Sequence, residues 1–159
     1  MNLILFRHGT AHPPSGGNDR DRTLTASGRS ALATAAHVWA RLLPTPDLYI
    51  TSPYRRARES TEILAQNLGH ARIEVSTSVT PDGDPSVFLD TLPEAATLVI
   101  VSHMPFVGEL AGQLAAGSDQ ALIPFSTGMG LWLELHALCA ASAHVVAAIS
   151  TKAAAALNE

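Results

Sequence analysis

Three short segments of this 159-residue chain combine residue types that could work on a phosphoryl group: Arg7-His8-Gly9, Ser52-Pro53-Tyr54-Arg55-Arg56 and His103-Met104-Pro105. An imidazole near neutrality carries a free nitrogen lone pair. It can attack phosphorus when flanking cations neutralise the phosphoryl oxygens. His8, next to Arg7, has that opportunity, and Gly9 allows close backbone approach to a ligand. His103 offers a second cation or a hydrogen-bond donor to the same group.

The middle segment breaks a local rule. Ser52 and Pro53 fit the N-cap and first position of a helix, which puts Arg55, Arg56 and Arg58 in or near its first turn. There the helix dipole disfavours each cation by about 0.3 to 1 kcal/mol. Arg55 has Glu59 four residues on and Arg58 has Glu62, so both have ordinary surface partners. Arg56 has Ser60 at that spacing. Arg56 is therefore the arginine most free to hold an anion, which a helix N-terminus also attracts. Ser52 is expected to cap the helix and also to approach the phosphate.

These segments need strands behind them, and the hydrophobic pattern supplies them. Leu3 to Phe6, Leu48 to Thr51 and Thr97 to Ser102 read as short buried strands that end at the three segments. Ile73 to Ser76 is a shorter strand candidate. Helical periodicity covers 26 to 43, with Leu32, Ala35, Trp39 and Leu42 on one face and Thr25 as N-cap. Further helices are expected from about Pro53 to Leu68, from Asp84-Pro85 onward, and from about Pro105 to Leu114 with Phe106, Val107 and Leu110 inward. Gly130 to Leu135 and His144 to Ile149 suggest a closing hairpin that adds an antiparallel member to a mostly parallel sheet. Residues 152–159 read as a frayed tail, and the irregular stretch 10–24 as functional or mobile. The whole is one α/β domain over residues 1–159, with its ligands expected beyond the carboxyl ends of the strands.

Composition narrows the function. Apolar residues are 47% and charged residues 15% of the chain, which excludes disorder over its length. The net charge of −4 argues against a nucleic-acid coat or an anionic-membrane binder. That total hides a division: nine of the ten basic residues are arginines, all at or before Arg72, where they face five acids. Arginine suits two-pronged recognition of phosphate. A single cysteine, Cys139, excludes an internal disulfide framework and suits a reducing compartment. No signal segment or membrane span is expected, and the location expected is cytoplasmic.

With Arg7-His8-Gly9, Ser52-Pro53-Tyr54-Arg55-Arg56-Ala57 and Val101-Ser102-His103-Met104-Pro105 in order, each after an apolar run, the chain resembles the histidine phosphatase (phosphoglycerate-mutase-like) superfamily. Small size, Arg22-Thr23-Leu24-Thr25 and Ser102-His103-Met104-Pro105-Phe106-Val107-Gly108 bring it nearest to the short phosphohistidine phosphatases of the SixA type. The resemblance implies a three-layer α/β/α sandwich. It implies His8 as the nucleophile that becomes phosphorylated, Arg7 and Arg56 as phosphate clamp, His103 as second pocket histidine and Arg22 as an added phosphate or substrate contact.

One departure bears on substrate. Family members acting on phosphate esters often carry an acid after the third strand, and here Thr80-Pro81-Asp82-Gly83-Asp84-Pro85 offers only Asp82 and Asp84. Asp84 is more simply a helix N-cap; Asp82 is a candidate general acid in what reads as a turn. An alkoxide leaves toward a conjugate acid with pKa of about 15.7, an imidazole toward one of about 6.5. A P–N substrate needs less proton assistance, so a weakly marked acid favours phosphohistidine.

The remaining candidates have plainer readings. His37, His70, His136 and His144 are core or surface residues, and Arg20 and Arg58 are solvated or touch a phosphoprotein partner. Trp39 and Trp132 are core residues, and Cys139 is inert. Ser126, Thr127 and Gly128 border the pocket or simply form a turn. His8 and His12 share a metal-ligand spacing, but Pro13-Pro14 oppose a helix and no carboxylate cluster accompanies them. No metal and no cofactor are expected, since neither a P-loop nor a dinucleotide fingerprint is present. The expected partners are a phosphorylated protein, such as a histidine-phosphotransfer domain, or a small phosphoester, with phosphate ion as product. The alternatives to a phosphohistidine phosphatase are a phosphomonoesterase of small metabolites and a binding module without turnover.

Overall fold

The computed structural model describes residues 1–137 and 139–158. Four parallel strands form one side of a six-stranded sheet: β1 (Asn2–Arg7), β2 (Leu48–Thr51), β3 (Arg72–Val75) and β4 (Thr97–Ser102). The hairpin β5 (Gly130–Leu135) and β6 (Ala143–Ile149) adds two antiparallel members, giving the order β3-β2-β4-β1-β5-β6.

The strands β1, β2 and β4 are apolar on both faces because both faces are covered. Leu3, Leu5, Ile50, Leu98 and Ile100 pack with Phe106, Val107 and Leu110 of α4 (Phe106–Ala116) and Phe88 of α3 (Pro85–Leu89). Their alternates Ile4, Phe6, Tyr49, Val99 and Val101 pack with Leu32, Ala35 and Trp39 of α1 (Ala26–Ala40) and Ala57 and Leu64 of α2 (Arg55–Leu68). Two cores on one sheet make the expected three-layer α/β/α sandwich.

Several boundaries depart from the sequence expectation. α1 begins where expected, with Thr25 Oγ1 accepting from Gly28 N, but it ends at Ala40. Leu42 lies past the last turn and is half exposed. Trp132 is only partly buried, its indole N–H donating to Asn2 Oδ1 at 3.0 Å. The segment read as a frayed tail forms α5 (Thr151–Leu157). Ser150 caps it by accepting from Ala153 N, and Ala154 is buried against the α1 and α2 side of the sheet. One capped turn with one buried alanine is enough to hold a segment whose composition suggested fraying.

The helix after β2 also starts late. Tyr54, extended at φ −66° and ψ 134°, is the N-cap of α2 and gives it no side-chain cap. Ser52 is not the cap because its hydroxyl is engaged elsewhere, on His103. Asp84, in contrast, caps α3 as expected, accepting from Ser86 N and Val87 N.

Segment 10–24 is irregular apart from a 3-10 turn at Asp19–Asp21, yet its base is stapled. Ala11 bridges Leu24, His12 N donates to Thr23 O at 2.9 Å, and Thr25 N donates to Thr10 O at 2.9 Å. A Cβ at Gly28 would collide with the Thr10 carbonyl, so glycine lets α1 start against the residues that follow His8.

Candidate active site

Parallel pairing makes the site. Arg7 is paired with Ser102 across β1 and β4, and Thr51 with Val101 across β2 and β4. The next residue of each strand therefore emerges at the same edge: His8, Ser52 and His103. The ladder continues one step, with His8 N donating to Ser102 O at 3.0 Å and Ser52 N to Val101 O at 3.1 Å. The His8 and His103 rings lie 4.9 Å apart, and all three residues are buried.

Hydrogen bonds define which nitrogen of His8 is reactive. Its Nδ1 lies 2.7 Å from Gly9 O, an acceptor only, so the ring proton sits on Nδ1. The free lone pair on Nε2 then faces Arg56, whose Nε–H donates to it at 3.2 Å. Burial, foremost, and the charges of Arg56, Arg7 and Arg22 push His8 down to about 4, against the opposing Gly9 bond. The imidazole is neutral and nucleophilic at physiological pH. Gly9 serves through its backbone: its carbonyl orients His8 and its N–H donates to Ser60 Oγ at 3.0 Å.

Arg56, Arg7 and Arg22 all lie near enough to act on His8 through their charge. Buried Arg56 reaches the pocket from the first turn of α2, and its guanidinium lies 4.8 Å from the Tyr54 ring centroid. Arg7 donates to Phe125 O at 2.7 Å, while its Nε is buried with no partner among the described residues. The 125–128 stretch does border the site, since Gly128 N donates to the carbonyls of both Arg7 and His8. His103 packs against Tyr54 as well as His8, and its Nε2 lies 2.7 Å from Ser52 Oγ. Burial, then the nearby His8 and arginine charges, holds His103 neutral, down to about 2.

Arg22 enters from the loop, donating to His12 O at 3.1 Å and pairing with Asp19 at 2.9 Å. Asp19 was not singled out in the sequence, and it is the hinge of this arrangement. Its carboxylate also pairs with Arg56 Nη2 at 3.0 Å, and its carbonyl accepts from Arg56 Nη1 at 2.8 Å. An internal acid thus bridges the two arginines. The only hint in the sequence was an acid three residues before Arg22 in an irregular stretch.

Two other supports were missed. Glu59 accepts from Leu24 N at 2.8 Å and pairs with Arg29 and Arg55, tying the loop exit to α1 and α2. Ser60 links Gly9 to α2 by donating to Arg56 O at 2.6 Å. Of the two expected surface pairs on α2, Arg55–Glu59 forms at 3.2 Å, and Arg58 has no ion pair among the described residues. Arg20 is exposed, but its guanidinium lies 5.4 Å from the Tyr54 centroid. Asp82 is exposed on the turn closed by Gly83 N to Thr80 O, with no hydrogen bond to the site among the described residues. No cluster of three or more metal-ligating side chains occurs among the described residues. None of their helices is long and apolar enough to cross a membrane.

A bare imidazole nitrogen beside converging arginines, on the carboxyl edge of a doubly covered sheet, defines a phosphoryl-transfer site with a histidine nucleophile. The chain belongs to the histidine phosphatase superfamily, and it is a phosphatase on that scaffold. The profile of the histidine phosphatase superfamily (branch 1) matches residues 3–79. An uncharacterised protein of Picosynechococcus sp. is 34% identical over 124 residues, 74% of each chain. Phosphohistidine phosphatase SixA of Escherichia coli is 28% identical over 140 residues, 84% of this chain and 86% of that one. The solved structure of a protein histidine phosphatase SixA complexed with tungstate superposes with a TM-score of 0.82 at 24% identity, covering 96% of this chain and 98% of the other.

Proposed function

We propose that this protein hydrolyses phosphohistidine on a signalling protein, such as a histidine-phosphotransfer domain, through a phosphorylated His8. The observation that carries the reading is the His8 geometry: Nδ1–H held on Gly9 O, and Nε2 unprotonated, accepting only a hydrogen bond from Arg56 that a phosphoryl group can take over. Nε2 attacks phosphorus, a new P–N bond forms, and the bond to the substrate imidazole breaks. That imidazole takes its proton from solvent. Arg7, Arg56 and Arg22 neutralise the phosphoryl oxygens, and neutral His103 donates a hydrogen bond to them, in both halves of the reaction. Water then attacks phospho-His8, releasing inorganic phosphate and the free imidazole.

Two features support the P–N substrate over an ester. Asp82, the one acid proposed for protonating an alkoxide, is exposed on its turn, and an imidazole leaving group needs no such acid. The likeness to SixA proteins supports the same substrate class.

The test compares turnover of a phosphohistidine protein with that of a panel of sugar and nucleotide phosphates, with His8→Ala as control. We expect preference for phosphohistidine, acid-labile phosphate on the wild-type protein during turnover, and a fall of at least about 10³-fold in kcat for His8→Ala. A large preference for one ester would overturn the substrate, and wild-type activity in His8→Ala would overturn the mechanism. Stoichiometric phosphate binding without hydrolysis would mark a binding module.

A further inference from the structure

Ser52 was expected to cap α2 and approach the phosphate, but its hydroxyl has a different assignment. Ser52 is fully buried, and its Oγ makes two hydrogen bonds among the described residues. One comes from Tyr54 N at 3.4 Å, where the amide is the donor. The other is to His103 Nε2 at 2.7 Å. The serine proton therefore has one acceptor available, the imidazole nitrogen. A buried hydroxyl that fails to donate loses a hydrogen bond whose desolvation is not returned.

If Nε2 accepts, the ring proton of neutral His103 sits on Nδ1. Nδ1 is itself buried and has no partner among the described residues. An unpartnered N–H in a pocket of His8 and arginines is a donor kept for an anion. An unpartnered lone pair at that position would repel phosphoryl oxygens.

We propose that Ser52 is a positioning residue that fixes His103 in the Nδ1–H tautomer, so that neutral His103 serves as a hydrogen-bond donor to the phosphoryl group. Burial keeps the ring uncharged, and a neutral imidazole donates only from its protonated nitrogen. Ser52 acts through His103 and does not touch the phosphate.

The decisive measurement is nitrogen-15 NMR of histidine-labelled protein at neutral pH, with His103 assigned by its absence in His103→Gln. Inorganic phosphate is then added as the probe. We expect Nδ1 protonated and Nε2 bare in the free wild type, and a shift of the Nδ1 resonance when phosphate binds. In Ser52→Ala the His103 signals should move to a mixture of tautomers. With para-nitrophenyl phosphate as substrate, kcat should fall about tenfold, less than the roughly 10²- to 10³-fold of losing an oxyanion donor outright because part of the His103 population keeps the donor tautomer, with KM within about twofold. Ser52→Thr, which keeps the hydroxyl, should restore the wild-type tautomer.

A wild-type Nε2–H tautomer overturns the proposal, because the serine proton would then be free for phosphate. An unchanged tautomer in Ser52→Ala also overturns it. An Nε2–H tautomer in the wild-type spectrum is decisive against the proposal even if neither Ser52 variant folds. The spectrum makes no reference to substrate, so failure of the phosphohistidine reading and failure of this assignment are distinguishable.

Discussion

The site has two halves built on different principles. His8, Ser52 and His103 stand at the ends of paired strands, buried, with the sheet ladder setting their spacing. Arg22 and Asp19 stand on segment 10–24, where the Asp19 side chain is 52% and the Arg22 side chain 22% exposed. Arg56 joins the two, bonded to His8 on one side and Asp19 on the other. The strand half can hold a reacting nitrogen to within tenths of an ångström because moving it would break the ladder. The loop half can exchange partners at low cost. On the proposed function, chemistry belongs to the first half and admission of the anion to the second.

This division has measurable consequences. Arg56→Ala removes the link between the halves and should lower kcat by about 10²- to 10³-fold, whereas Arg22→Ala should cost about tenfold or less and act mainly on KM. Steady-state kinetics on both variants checks this, and equal losses would abolish the distinction.

Acid should act on the strand half. His8 works neutral and is held at about 4, so kcat/KM should fall as pH drops through that value, tenfold per unit below it. The groups around His8 are Arg7, Arg22, Arg56 and His103, with Asp19 bridging two of the arginines. Stability follows the same sign. The unfolded imidazole takes up protons near 6.5 and the folded one near 4, so stability is complete above about 6.5 and declines as pH falls toward 4. Denaturant midpoints across that window should decline more steeply for the wild type than for His8→Ala.

The smallest effect belongs to the loop. Asp19→Asn removes the internal competitor for Arg56 and Arg22. Inhibition by inorganic phosphate should strengthen about two- to fivefold, the worth of a partly exposed ion pair. Weaker inhibition would mean that Asp19 assists anion binding rather than competing with it.

The same division governs what was legible in the sequence. Strand ends announce themselves, because a buried run such as Thr97 to Ser102 followed by His103 has both a period and a terminus. Arg56 was separable from Arg55 and Arg58 by i+4 spacing alone. The Asp19 bridge was not legible: it depends on how an irregular segment folds back over 37 positions to reach Arg56, and no periodicity encodes that. Local helix rules make Ser52 a cap, and a tertiary partner, His103, overrides them. The last helix was missed because alanines give little amphipathic signal and its anchor is one buried residue, Ala154.

The stapled base of segment 10–24 has an entropic consequence. Ordering a free chain costs about 1–2 kcal/mol per residue, and a loop that had to be ordered against every incoming protein would dissipate much of its contact energy. Here the Ala11 to Leu24 bridge, the His12 to Thr23 bond and the Glu59 anchor have already fixed both ends in the folded chain. On the proposed function, exchange of Asp19 for a phosphoryl group would ask only the tip between them to rearrange, at a small ordering cost per turnover.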